Sequence, residues 1–133
     1  MKVFLSYKFT NEHIDELRKM INSISKTLRL LGHDVYNSLE DEQRFRKEGI
    51  TNSEIMQHTF NQIDKSDLLI AFINSSDKSE GMLLEIGYAI AKGKKFVLAI
   101  KNGISTTSIE QMAASTIKFD YFDELLNKFR KTF

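Results

Sequence analysis

Hydrophobic positions along the chain fall into two kinds of pattern, and the two kinds alternate. Continuous apolar runs, Leu68-Leu69-Ile70-Ala71-Phe72-Ile73 and Phe96-Val97-Leu98-Ala99-Ile100, read as strands covered on both faces, as in a parallel sheet. Ile14, Leu17, Ile21, Ile24, Leu28 and Leu31 instead recur at steps of three and four, one stripe of a long helix that Gly32 ends. Lys2 to Ser6 predicts a first buried strand and His33 to Tyr36 a second. Thr51-Asn52-Ser53-Glu54 has the capping-box pattern and opens a helix carrying Ile55, Met56, Phe60 and Ile63. Further on, Gly81 to Lys92 predicts a small-residue-rich helix ended by Gly93, and Thr107-Ser108-Ile109-Glu110 caps a short one. Thr116 to Phe119 predicts an edge strand, and Asp120 to Phe133 a closing amphipathic helix. The segment from Asn37 to Gly49 is too acidic and irregular for core, and its Glu40-Asp41-Glu42 cluster reads as a solvated loop.

Strands alternating with helices imply right-handed crossovers. The expected architecture is therefore α/β: a single doubly wound parallel five-stranded sheet, flavodoxin-like or Rossmann-like, flanked by helices. Residues 1–133 make one domain, with no repeat, low-complexity segment or linker. In such folds ligands collect beyond the carboxyl ends of the strands, near the switch in strand order. That rule selects Ser6 to Thr10, Asn37 to Gly49 and Asn74 to Glu85.

Composition narrows the function classes. The chain has 133 residues, 41% hydrophobic and 28% charged, enough for a single packed core. It has no cysteine, which excludes disulfides and thiolate metal sites. A net charge of +1 gives no long-range attraction to a nucleic acid polymer. No apolar run reaches the ~20 residues needed to span a bilayer, and no secretory signal opens the chain, so neither membrane nor export is expected and the cytoplasm is. His13, His33 and His58 show no metal-ligand spacing, and neither a P-loop nor a Gly-x-Gly-x-x-Gly occurs. No metal and no cofactor are expected.

Glu85 is the residue that stands out. On a helix it is surrounded by Gly81, Met82, Tyr88 and Ala89, which implies partial desolvation and a raised pKa. It is either a site residue or a structural glutamate. The loop from Asn74 to Gly81 brings hydroxyls to a helix N-terminus, with Ser79 in the capping position and Gly81 permitting close approach of a phosphate or sugar. At the end of the first strand, Ser6, Tyr7 and Lys8 face the same crevice; Lys8 suits an anion, and Tyr7 is placed to orient Glu85. Thr107 and Ser108 are explained as helix caps. His58 is the histidine whose element leads to the cleft.

These residues carry a resemblance. Asp67-Leu-Leu-Ile-Ala-Phe-Ile73, then Ser79-Glu-Gly-Met-Leu-Leu-Glu85-Ile-Gly-Tyr-Ala89, then Gly93-Lys94-Lys95 before an apolar strand, resembles the nucleoside 2-deoxyribosyltransferase family and the related deoxynucleoside 5′-monophosphate N-glycosidases. The opening Val3-Phe4-Leu5-Ser6-Tyr7 and the phrase Gly32-His33-Asp34-Val35-Tyr36 are similar too. The resemblance implies that Glu85 attacks the anomeric carbon of deoxyribose and forms a glycosyl-enzyme intermediate, as in a retaining glycosidase. It implies that Ser79 binds a 5′-phosphate, and that Thr107 or Ser108 lends a hydroxyl to a neighbouring subunit, hence a homodimer. The substrate is then a nucleoside or nucleotide small molecule. Two positions depart from the family pattern. Thr59 stands where an aspartate helps to protonate the leaving base, which leaves His58 or Asp41 for that role, or nothing. Tyr7 and Lys8 stand where a Ser/Arg pair binds phosphate. Two other readings follow: a nucleotide-binding or sensing module without turnover, or a Toll/interleukin-receptor-like NAD glycohydrolase, whose usual Trp-Cys pair is missing here.

Overall fold

A computed structural model describes residues 1–8, 14–76, 79–106 and 108–133. Thr10, His13 and Thr107, named above, lie outside the described residues, as do Asp77 and Lys78 within the loop from Asn74 to Gly81.

The strands are β1 (Lys2–Tyr7), β2 (Asp34–Asn37), β3 (Leu68–Ile73), β4 (Lys95–Lys101) and β5 (Ser115–Phe119). They form one parallel sheet in the order β2-β1-β3-β4-β5, the flavodoxin-like order with its switch between β1 and β3. Successive side chains alternate across it. Val3, Leu5, Leu68, Ile70, Phe72, Val97 and Ala99 face one core; Phe4, Leu69, Ala71, Ile73, Phe96, Leu98 and Ile100 face the other. Both faces are covered, which is why β3 and β4 are apolar without interruption.

The helices divide between those cores. α1 (Ile14–Leu30) buries Ile21, Ile24 and Leu28 on the first face, beside Leu125 and Phe129 of α6 (Phe122–Thr132). The predicted α1 stripe holds in its middle but not at its end: Leu31 lies in the turn after the helix and is exposed, and Gly32 follows with φ 94°. On the second face sit α3 (Asn52–Asp64), α4 (Glu80–Ala91) and the short α5 (Ile109–Met112), through Ile63, Met82, Ile86, Ala89 and Ile109. The Thr51 cap forms as predicted, with Oγ1 accepting from the Glu54 N–H at 3.2 Å. Ser108 occupies the N-cap position of α5 but makes no side-chain cap bond.

One segment differs from its sequence reading. Leu39–Glu48, expected as a solvated loop, is helix α2. Its apolar content is low, so packing did not announce it. Its charges do: Glu40, Asp41 and Glu42 occupy the first turn and Arg46 and Lys47 the last, each complementing the helix dipole. Asp41 pairs with Arg44 and Glu42 with Arg46 at helical spacing. Gly49 then closes α2 at φ 64°, a left-handed position that favours glycine. No helix among the described residues is long and apolar enough to cross a membrane.

Candidate active site

Ser6 lies on the Phe4 side of β1, facing α4, and pairs in register with Ala71 of β3 at the switch in strand order. Glu85 sits on α4, one turn beyond Met82 and beside the buried Ile86 and Ala89. Burial pushes the Glu85 carboxyl up from 4.5 to about 8, and the neighbouring Ser6 hydroxyl draws it back only in part. Ser6 itself is 1% exposed, and its hydroxyl has no well-formed hydrogen bond to any described residue.

Tyr7, last residue of β1, turns to the opposite side of the sheet and is 6% exposed. Its hydroxyl is 2.9 Å from Ser38 Oγ, so the hydrogen bond expected to orient Glu85 goes to Ser38 instead. Burial raises the Tyr7 pKa, the Ser38 bond opposes that, and the charges of Glu42 and Glu85 both add to the rise. The phenol therefore feels the charge of both carboxyl groups.

On the Glu42 side opens a cavity of about 400 Å³. Phe45, Ile50 and Ile55 give it apolar walls, while Tyr7, Ser38, Glu42, Arg46 and Asn52 supply polar groups. It sits at the carboxyl end of β1, beneath α2 and the start of α3, where the fold class places ligands. Sequence reasoning selected the segment Asn37 to Gly49 without singling out Ser38, Glu42, Phe45 or Arg46, and did not point to Ile50, Asn52 or Ile55. The i,i+4 spacing of Glu42 and Arg46 was the available signal.

Asp41 and His58 lie behind that wall. The Asp41 carboxylate accepts from the Tyr36 hydroxyl at 2.8 Å and is 3.1 Å from His58 Nε2. The His58 ring packs edge-on against Phe45, with centroids 5.3 Å apart, and neither His58 nor Asp41 lines the cavity itself. Thr59, at the position of the missing aspartate, is 6% exposed.

The remaining candidates are Ser79 and Gly81 at the start of α4, with Asn74, Lys8 and Ser108 elsewhere. Ser79 caps that helix, its Oγ accepting from the Met82 N–H at 3.0 Å, which leaves the hydroxyl proton for another acceptor. At Gly81 a Cβ would meet no described residue within 4 Å and φ is not positive, so neither backbone nor packing among the described residues requires glycine there. Asn74 follows β3 and makes a long 3.8 Å contact from Nδ2 to Met20 Sδ. Lys8 directly follows β1, and Ser108 is exposed before α5. No group of three or more His, Cys, Asp or Glu suited to a metal ion occurs among the described residues.

This is a flavodoxin-like α/β protein with a part-buried carboxyl at its switch point. Its sequence matches the family model of nucleoside 2-deoxyribosyltransferases over residues 7–125, so the chain belongs to that family, whose members are enzymes processing nucleosides. A search of the curated proteins finds none that matches. Among solved structures, the CMP N-glycosidase of Clostridium botulinum superposes with a TM-score of 0.77 at 22% identity, over 100% of both chains. The 2-deoxyribosyltransferase of Bacillus psychrosaccharolyticus gives 0.71 at 20% identity, covering 96% of this chain and 91% of that one. A conserved protein of Enterococcus faecalis gives 0.70 at 14%, covering 100% and 99%. At these identities the likeness is one of fold.

Proposed function

We propose that this chain cleaves or transfers at the N-glycosidic bond of a nucleoside or nucleoside 5′-monophosphate, with Glu85 as the nucleophile. The observation that carries the reading is the Glu85 carboxyl, withdrawn from water at the switch point beside Ser6 and near Tyr7, in a member of this family. A Glu85 oxygen bonds to the anomeric carbon as the carbon–nitrogen bond breaks, and the electron pair leaves with the base. His58, positioned by Asp41, is the group proposed to protonate that base. Water, or a second base, then attacks the same carbon and releases Glu85.

In this reading Ser79 and Lys8 bind the 5′-phosphate, with Gly81 giving it room beside the α4 N-terminus. Asn74 contributes to the sugar side. A homodimer completes the site through Thr107 or Ser108, and the exposed Leu83, Leu84 and Met112 on the α4 and α5 side supply apolar surface for it. No cofactor is called for.

The test is chromatography of free base released from a panel of nucleosides and monophosphates, with Glu85→Gln as control. Release that depends on Glu85 supports the reading; no release from any substrate, or release unaffected by the variant, rejects it. Addition of an acceptor base separates transferase from hydrolase. The buried Thr59, in place of an aspartate, favours one second reading, a nucleotide-binding module without turnover. Tight calorimetric binding with no base released would select it. Nicotinamide release from NAD would point instead to an NAD glycohydrolase.

A further inference from the structure

We propose that Ser6 positions the nucleophile: its hydroxyl donates a hydrogen bond to one oxygen of the Glu85 carboxylate and leaves the other oxygen to meet the anomeric carbon. The inference rests on the glycosidic reading above and adds to it a positioning residue that transfers no proton itself.

The packing of α4 brings the two residues together. Met82, Glu85, Ile86 and Ala89 follow one another along the helix at the spacing of a single stripe. Met82, Ile86 and Ala89 are buried in the second core, so this stripe faces the sheet and carries Glu85 with it. Ser6 shares its side of β1 with Phe4, which belongs to the same core, and it stands just before the last residue of the strand. There the Ser6 hydroxyl adjoins the Glu85 carboxyl.

Among the described residues little else serves either group. Ala71, paired in register with Ser6 on β3, has only a methyl group to offer, and Leu98 lies beyond it on β4. α4 packs against α3, β1, β3 and β4. From β3 and β4 it meets only apolar side chains. On α3, Phe60 and Ile63 join the core, His58 is turned to Asp41, and Asp64 is bonded to the Tyr88 hydroxyl and paired with Lys92 near the far end of α4. β1 contributes Phe4 and Ser6, and the Tyr7 phenol on the other side of the sheet feels the Glu85 charge. Of these groups, Ser6 is the donor that reaches the carboxyl.

Ser6 is almost fully buried, and its Oγ has no well-formed hydrogen bond to any described residue. A buried hydroxyl in that position is unfavourable, and it gains most when the acceptor beside it becomes charged. Once the Glu85 proton has left to solvent, the carboxylate accepts the Ser6 O–H. One oxygen is then held, and the other bonds to the anomeric carbon as the bond from that carbon to the base breaks. In the resulting glycosyl ester the held oxygen is the carbonyl oxygen, which still accepts from Ser6. The same bond opposes the burial that keeps Glu85 protonated.

The experiment is a carbon NMR titration of the Glu85 carboxyl in the free protein, with the Glu85→Gln spectrum assigning the signal, run beside kcat and KM against pH. Ser6→Ala is expected to move the Glu85 pKa upward from about 8 by about one pH unit, as for loss of a hydrogen bond to a charged group. The acid limb of kcat/KM should move with it, and kcat should fall roughly tenfold or more with KM nearly unchanged. Ser6→Cys, close in shape but a weak donor, separates bonding from packing and should titrate as Ser6→Ala does. Should Ser6→Ala fail to fold by circular dichroism, Ser6→Cys carries the test. A Glu85 pKa unmoved in Ser6→Ala, or a Ser6→Cys that titrates as wild type, overturns the proposal. A higher KM with the titration unmoved would make Ser6 a substrate contact and overturns it too. Should no base be released from any nucleoside or monophosphate, the glycosidic reading falls. The titration needs no substrate and then decides the Ser6 bond alone: an upward move supports it, and none rejects it.

Discussion

The Tyr7 hydroxyl and the Ser38 hydroxyl stand 2.9 Å apart, tying the carboxyl end of β1 to the residue just before α2. A serine before a helix usually caps a backbone N–H. Ser38 makes no side-chain cap bond, and its hydroxyl is turned to Tyr7 instead. The wall of the cavity is therefore fixed to the strand that also carries Ser6.

Tyr7→Phe should lose this bond while keeping the ring's packing. The expected loss is ~1 kcal/mol in urea unfolding, as for a typical intramolecular hydrogen bond. Ser38→Ala should give a similar loss, and the double variant little more than either alone. Additive effects would show that the two hydroxyls do not act as a pair.

Stability should fall as pH rises across the range set by Glu85. The folded pKa, about 8, lies above the ordinary 4.5, so between those values the folded chain holds a proton that the unfolded chain releases. The stabilising effect is complete at low pH, below the unfolded value, and is lost as pH climbs through the folded one. The slope approaches ~1.4 kcal/mol per pH unit at most. Denaturant midpoints from pH 5 to pH 8.5 on wild type and Glu85→Gln, at roughly half-unit steps, check it: the variant should be flatter, and parallel curves would contradict the assignment.

The same carboxyl predicts the acid limb of catalysis. Attack needs the ionised form, and a group with a pKa of about 8 is mostly protonated in the empty site at neutral pH. The ratio kcat/KM should therefore rise with pH up to about 8. A limb near 4.5 in kcat/KM would show that the empty site does not hold the proton.

For His58 the discriminating substrate is one with a leaving group that needs no proton. His58→Gln should slow release of natural bases, by roughly 10²–10⁴-fold if general acid assistance is lost, and act far less on an activated leaving group. Asp41→Asn should follow the same pattern more weakly, since Asp41 acts through His58. Equal losses on both substrates would point to a structural role, which the packing against Tyr36 and Phe45 makes concrete.

Most of the sheet was legible in the sequence because strands buried on both faces leave continuous apolar runs, as in Leu68–Ile73. Helices with a core-facing stripe were legible for the corresponding reason. α2 was not: with Leu39 its single buried residue, it is held by charge placement rather than apolar periodicity. That omission left Glu42, Phe45 and Arg46 of the cavity wall unplaced. Glu85 was readable because a carboxylate among Met82, Ile86 and Ala89 conflicts with its surroundings. The partner of Tyr7 was not readable, since Ser38 comes to it across 31 residues of chain through the pairing of β1 with β2.

The measurement that bears most directly on the central claim is trapping of Glu85 by mass spectrometry. A nucleoside bearing a 2-fluoro substituent on the sugar slows hydrolysis of the glycosyl-enzyme and lets it accumulate. Wild type should gain the mass of the sugar on the peptide containing Glu85, with one equivalent of base released, and Glu85→Gln should gain nothing. Release of base without sugar on that peptide, or the same labelling in the variant, would contradict Glu85 as the nucleophile.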